Sequence, residues 1–212
     1  MVAAGNRVLY GTSADDTIVC LDLKTGKPVW QSFAEGPIRL APLIVGDRVL
    51  FGSDDGYIYC LELATGKRLW RQSAVEEPGL RRPGNGRVIG KYPVRSGVVV
   101  RDDVVYYTAG LFPRQGAWHC ALALADGRRL AAKPLNASPQ GYMREKGGQL
   151  FASTGRHPAG AFLQQLKRRG KAPAQAAAAI AEKTPYAFIG TPSYRYAGGD
   201  GEITVLDANT GK

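Results

Sequence analysis

The sequence predicts an all-β fold, a β-propeller of four-stranded antiparallel blades, and three observations carry that prediction. The run Cys20-Leu-Asp-Leu-Lys-Thr-Gly-Lys-Pro-Val-Trp30 recurs as Cys60-Leu-Glu-Leu-Ala-Thr-Gly-Lys-Arg-Leu-Trp70, an offset of about forty residues with strand, turn and tryptophan in register. Each copy follows an alternating strand, Arg7-Val-Leu-Tyr-Gly11 or Arg48-Val-Leu-Phe-Gly52, and then an Asp-rich turn, Asp15-Asp16 or Asp54-Asp55-Gly56. Four short strands per repeat of that length make one propeller blade.

Taken in order, the first blade is expected over residues 1–34 and the second over 38–75. A third, 94–136, follows from Leu122-Ala-Leu-Ala-Asp-Gly127, with Ala131 where Trp30 and Trp70 stand in the first two copies. The fourth, 140–170, is eroded. Its inner strand is read at Tyr142 to Lys146 and its second at Gln149 to Ser153, with a third from Ala161-Phe162 and Gly170 near the turn. The fifth, 184–212, returns as Ile203-Thr-Val-Leu-Asp207-Ala-Asn-Thr-Gly211 and is expected to stop after its third strand. Together they form one incomplete domain over 1–212, an open arc rather than a closed ring.

The turn glycines Gly26, Gly66, Gly127, Gly170 and Gly211 are near forty residues apart, except for about twenty extra residues in the second gap. We place these at 76–92 and 111–116. The first stretch mixes prolines, glycines and arginines without periodicity and reads as a loop able to shape a binding face. The alanine-rich stretch 173–183 has high helix propensity but only Ile180 as a large apolar anchor, so a short rim helix and a mobile linker both stand as readings.

The repeated residues divide the labour. Asp22, Lys24, Thr25 and Gly26 suit a tight strand-to-strand turn, because short polar side chains bond nearby amides and glycine accepts a positive φ. Glu62 and Gly66 take those places in the second copy. A ring at the same point of successive blades fills the wedge between neighbours, its indole N–H finding a backbone acceptor, so the periodicity of Trp30 and Trp70 assigns them to packing rather than to a ligand.

These residues resemble the tryptophan-docking repeat of the pyrroloquinoline-quinone (PQQ) type β-propellers, whose blades follow Ala-x-Asp-x-x-Thr-Gly-x-x-x-Trp. Two copies match nearly in full, with Cys20 and Cys60 for the alanine and Glu62 for the aspartate. The resemblance implies a ring of seven or eight blades, so the chain reads as a fragment whose remaining blades lie in a longer parent. It also implies a periplasmic or cell-envelope setting, with outer-membrane assembly lipoprotein propellers as the close comparison.

Composition is that of an ordinary globular domain, 44% apolar and 9% aromatic. No run reaches membrane-spanning length, and the first residues lack the basic and apolar segments of a targeting signal. Cys20 and Cys60 fall on adjacent blades, too far apart to bridge, and Cys120 is one position out of phase, so three unpaired thiols are expected. The formal charge of +10, with Lys167-Arg168-Arg169 as its sharpest cluster, fits an acidic protein partner or an anionic envelope component. Nucleic acid is disfavoured, since the arginines are spread through turns and no binding motif is present.

The search for catalytic chemistry is negative. A quinoprotein dehydrogenase, by resemblance, needs acidic metal ligands, a general-base aspartate and adjacent cysteines, and no Cys-Cys pair occurs. Asp54-Asp55 and Asp102-Asp103 are paired carboxylates in slots that the repeat assigns to turns, and His119 and His157 stand alone. No catalytic, metal or cofactor residue is therefore assigned, and PQQ and calcium enter only under the alternative of a quinoprotein fragment. The distinctive nonrepeat patch is Pro139-Gln140-Gly141-Tyr142-Met143 with Ser153 to Pro158, where Gln140, Tyr142 and Arg156 are candidates to face the central channel and hold an anionic group. The reading is a noncatalytic binding or protein-interaction scaffold.

Overall fold

The computed structural model describes residues 1–76, 79–84, 86–136, 138–146, 149–152, 187–190, 194–199 and 202–207. Its first sheet is an antiparallel meander of β1 (Val2–Ala4), β2 (Arg7–Gly11), β3 (Thr17–Asp22) and β4 (Pro28–Phe33). The second is β5 (Leu43–Val45), β6 (Arg48–Gly52), β7 (Tyr57–Glu62) and β8 (Arg68–Ser73). A hairpin of β9 (Arg81–Gly84) and β10 (Arg87–Gly90) precedes the third sheet, β11 (Val99–Arg101), β12 (Val104–Ala109), β13 (Trp118–Ala123) and β14 (Arg129–Pro134). Then come the pair β15 (Met143–Lys146) and β16 (Gln149–Ala152), and a three-stranded sheet of β17 (Ala187–Gly190), β18 (Tyr194–Gly199) and β19 (Glu202–Asp207). The architecture is a partial all-β propeller. Among the described residues β1 pairs with β2 and β19 with β18, and no strand pairing joins the first sheet to the last.

Blade contact follows from period-two alternation. In the second sheet Val49, Phe51, Tyr59 and Leu61 turn toward the first and cluster with Leu9, Ile18, Cys20 and Ile38. Leu50, Ile58, Cys60 and Trp70 turn the other way and pack with Val105, Tyr107, Cys120 and Leu122 of the third sheet. A middle blade is thus apolar on both faces, which is why its strands read as nearly continuous apolar runs.

Each of the three full sheets bulges at the same place, between Cys20 and Leu21, Cys60 and Leu61, and Ala121 and Leu122. The bulge sets Trp30 opposite Cys20 and Trp70 opposite Cys60, with Ala131 opposite Ala121 in the third sheet. Trp30 Nε1 donates to the Leu63 carbonyl of the next sheet at 2.9 Å, and Trp70 Nε1 donates to Leu124 at 3.1 Å. Each ring lies on a turn glycine of that next sheet: a Cβ on Gly66 would sit 2.5 Å from Trp30 Cε3, and one on Gly127 would sit 2.6 Å from Trp70 Cε3. Both glycines also have positive φ, at 72° and 74°. The first turn closes as expected, with Asp22 Oδ1 accepting from the Thr25 amide at 2.8 Å and the Lys24 amide at 3.1 Å. These bonds hold the Asp22 carboxyl below its ordinary range.

One expectation is overturned. Segment 76–92 is not an unstructured loop, because β9 and β10 pair in register from Arg81–Gly90 to Gly84–Arg87. The cue was Asn85-Gly86 in the sequence between the strands, a strong hairpin signal masked by surrounding prolines and arginines. The inner strand of the fourth blade begins at Met143, one residue later than read, and the extra residues at 111–116 contain a 3₁₀ turn, Pro113–Gln115. The expectations for Ala161-Phe162, Gly170, the helix over 173–183, Gly211 and the separation of the termini lie outside the described residues, and of Asp207 the structure gives its place in β19 alone. All three cysteines are free and buried, with burial pushing the Cys120 thiol up to about 12.

Truncating the inter-sheet ring should be costly. Trp70, 9% exposed, is expected to lose about 3–5 kcal/mol on Trp70→Ala, and the more exposed Trp30 less. Urea unfolding measures both; losses below about 1 kcal/mol for each would show that the rings do not join the blades.

Candidate functional site

Three inner strands, β5, β11 and β15, converge on an open groove of about 440 Å³ lined by Leu43, Val45, Val98, Val99, Val100, Met143 and Arg144. Its walls are apolar apart from Arg144. The segments that lead into these inner strands form a polar rim.

Asp54 organises this rim. It lies in the turn after β6, its side chain wholly buried, and its Oδ2 accepts from Arg39 Nε at 2.7 Å. Arg95 reaches the same carboxylate through Nε to Oδ1 and Nη2 to Oδ2, both at 2.8 Å. The backbone fixes the geometry: the Asp54 amide donates to Pro37 at 2.9 Å and its carbonyl accepts from Gly90 at 2.7 Å. Burying the carboxylate is tolerable because two charge-assisted partners replace its water. Asp55 faces elsewhere, with Oδ2 accepting from Tyr59 Oη at 2.5 Å and the Glu35 amide at 3.1 Å, and Oδ1 from the Tyr57 amide at 3.0 Å. Burial raises the Asp55 pKa, and these bonds only partly oppose it.

The hairpin insertion straps the rim across neighbouring sheets. Arg81 bonds Glu35 Oε2 at 2.9 Å, Arg87 bonds Asp16 Oδ2 at 2.8 Å and the Ser13 carbonyl at 2.7 Å, and Arg82 Nη1 donates to Gln115 Oε1. Burial, with Arg95 nearby, lowers the Arg82 pKa.

Of the sequence candidates, Gln140 and Tyr142 lie in the segment that leads into β15, and Arg156 lies outside the described residues. Counted back from the inner-strand ends Val45, Arg101 and Lys146, the positions of Arg39, Arg95 and Gln140 are equivalent in three successive blades. Gly141 is bridged in parallel to Ser96, with the Gly97 amide donating to Gly141 at 2.9 Å. Tyr142 is half exposed, and its Oη accepts from the Ala41 amide at 3.2 Å. Sequence reasoning missed Arg39 and Arg95. The signal was the second repeat Pro37-Ile-Arg39 and Pro93-Val-Arg95, which lies in linkers outside the strand-turn-tryptophan motif. The paired aspartates do occupy turns: Asp102 and Asp103 at φ 51° and 58° are simple turn residues, whereas Asp54 is also the ionic centre of the rim.

The family model described as outer membrane protein assembly factor BamB matches residues 1–212. No curated protein matches the sequence. Among solved structures, BamB from Moraxella catarrhalis superposes with a TM-score of 0.57 at 15% identity, over 98% of this chain and 56% of that one. The computationally designed Ika8 protein gives 0.57 at 14%, over 100% and 58%, and a quinohemoprotein alcohol dehydrogenase from Pseudomonas putida gives 0.51 at 14%, over 100% and 32%. At these identities the likeness is one of fold, and the chain spans little more than half of the BamB it matches. No helix among the described residues is long and apolar enough to cross a membrane.

Two outcomes are expected. Asp54→Asn removes the charge between two guanidiniums and should cost about 3 kcal/mol in guanidinium unfolding; a loss within about 0.5 kcal/mol would mean that the rim stands without it. His119, opposite Lys133 and stacked on Tyr106 at 6.2 Å, has its pKa lowered by burial and then by Lys133. The folded state then binds fewer protons than the unfolded one, so this contribution to stability falls as pH drops through about 6.5. Wild type should lose more of its urea midpoint than His119→Gln between neutral and mildly acidic pH; parallel losses would refute the assignment.

Proposed function

The chain belongs to the family described as outer membrane protein assembly factor BamB, and from that membership we propose that it is a noncatalytic PQQ-repeat propeller module of the bacterial cell envelope. It serves as a scaffold whose inner-strand groove and polar rim hold a protein partner or an anionic envelope component, with Trp30 and Trp70 as the docking rings that keep successive blades in place. The observation that carries this reading is the state of the rim carboxylates. Asp54 is committed to Arg39 and Arg95, and Asp55 to Tyr59 and two amides, so neither is poised as a general base or a metal ligand. What remains at the rim is guanidinium, tyrosine hydroxyl and amide, which is the chemistry of recognition.

The second reading, a piece of a PQQ-dependent dehydrogenase with its catalytic residues outside this chain, draws on the fold shared with the quinohemoprotein alcohol dehydrogenase. Fold alone does not specify chemistry. Titration with PQQ in calcium buffer separates the two. No stoichiometric quinone binding and no quinone-dependent alcohol or sugar oxidation is expected, and the appearance of both would overturn the scaffold reading.

A further inference from the structure

We propose that Arg39 and Arg95, held in place by Asp54, form a receptor for a carboxylate group in the linkers that lead into the groove-lining strands. The inference rests on the reading of the chain as a binding module and names the chemistry that the rim recognises.

Donor accounting comes first. Arg39 spends only Nε on Asp54, and among the described residues its two Nη groups have no hydrogen-bond partner. Its side chain is 30% exposed, so this fork is reachable from solvent. Arg95 spends Nε and Nη2 on the same carboxylate and is 10% exposed. Because Asp54 Oδ2 accepts from both residues, the two guanidiniums are held side by side before any ligand arrives. Holding an arginine fork in place in advance removes much of the ordering cost of binding.

Charge accounting supplies the ligand. Arg39 and Arg95 share one carboxylate, Asp54, while Glu35 is taken by Arg71 at 2.5 Å and Arg81 at 2.9 Å. Arg82 meets only the neutral Gln115, and its Nη2 is shielded from water without a partner. The Arg39–Asp54–Arg95 cluster therefore carries an excess of one positive charge. A single carboxylate cancels it and matches the planar Arg39 fork, whereas a phosphate dianion overshoots. The linkers that carry these arginines run on into β5 and β11, and Leu43 and Val98–Val100 there line the apolar part of the groove.

Calorimetric titration of the full chain at low salt tests this, with a Glu-rich hexapeptide, its Gln counterpart, succinate and inorganic phosphate as probes. The Glu peptide or succinate should bind, and the Gln peptide should not. Arg39→Gln should weaken binding about tenfold, the loss of one charged fork, and Arg39→Lys by less. Lys24→Gln, in the exposed turn after β3, should leave binding within about twofold, because it changes net charge without touching the rim. Arg39→Gln keeps both Arg95 bonds to Asp54, so it should still fold cooperatively while melting below wild type; should it misfold, competition between succinate and the Glu peptide on wild type reports a shared site. Binding of peptide alone marks a polypeptide partner and binding of succinate a free acid, and either upholds the receptor. Absence of binding by both, equal losses in Arg39→Gln and Lys24→Gln, failure of succinate to compete with the peptide where both bind, or tighter binding of phosphate would overturn it. The PQQ titration is independent: a quinone-binding chain that still holds the Glu peptide through Arg39 would refute the scaffold reading and leave the receptor standing.

Discussion

The indole of Trp70, lying on Gly127 and bonded to the Leu124 carbonyl, is the contact on which the arrangement of sheets depends. A four-stranded blade of this size has too little core to stand alone, and its stability comes from the faces it shares with its neighbours. Those faces are apolar and directionless, so they resist separation more than sliding. A ring that fits only above a residue without a Cβ, with an N–H that must find one carbonyl, adds the missing register. The same pairing of Trp30 with Gly66 and Leu63 sets the first sheet on the second.

Once the blades are in register, the linkers between them are in register too, and the rim follows. Arg39 and Arg95 are far apart in sequence, yet each enters its blade at the same point, so both reach the Asp54 turn that lies between them. A buried carboxylate between two arginines contributes little net stability by itself, since desolvation offsets most of the attraction. Its effect is positional: it holds two cationic groups side by side in the linkers that lead into the inner strands. The hairpin insertion extends the principle, with Arg81 and Arg87 tying it to the first sheet and Arg82 to the loop before β13.

Function in such an assembly is carried by the ends of the blades rather than by their faces, which are consumed in stacking. The third sheet, with Ala131 where the other two carry a ring, shows that the bulge and turn keep their geometry without the tryptophan.

What the sequence by itself determined is everything with a local period. The strand alternation, the Asp-x-x-Thr-Gly turn, the tryptophan spacing and the all-β propeller class are written within single repeats, because each depends on residues a few positions apart. The hairpin at 81–90 was also local, through Asn85-Gly86, but its cue was outweighed by composition. The segment Pro139 to Met143 was legible as a break in the pattern. Arg39, Arg95 and the second role of Asp54 were not, because an ion pair across 41 residues leaves no mark in the neighbourhood of either partner. Tertiary structure alone decided them: stacking blades brings equivalent linkers to one rim, and only there does a turn aspartate lose its water and require two arginines in exchange.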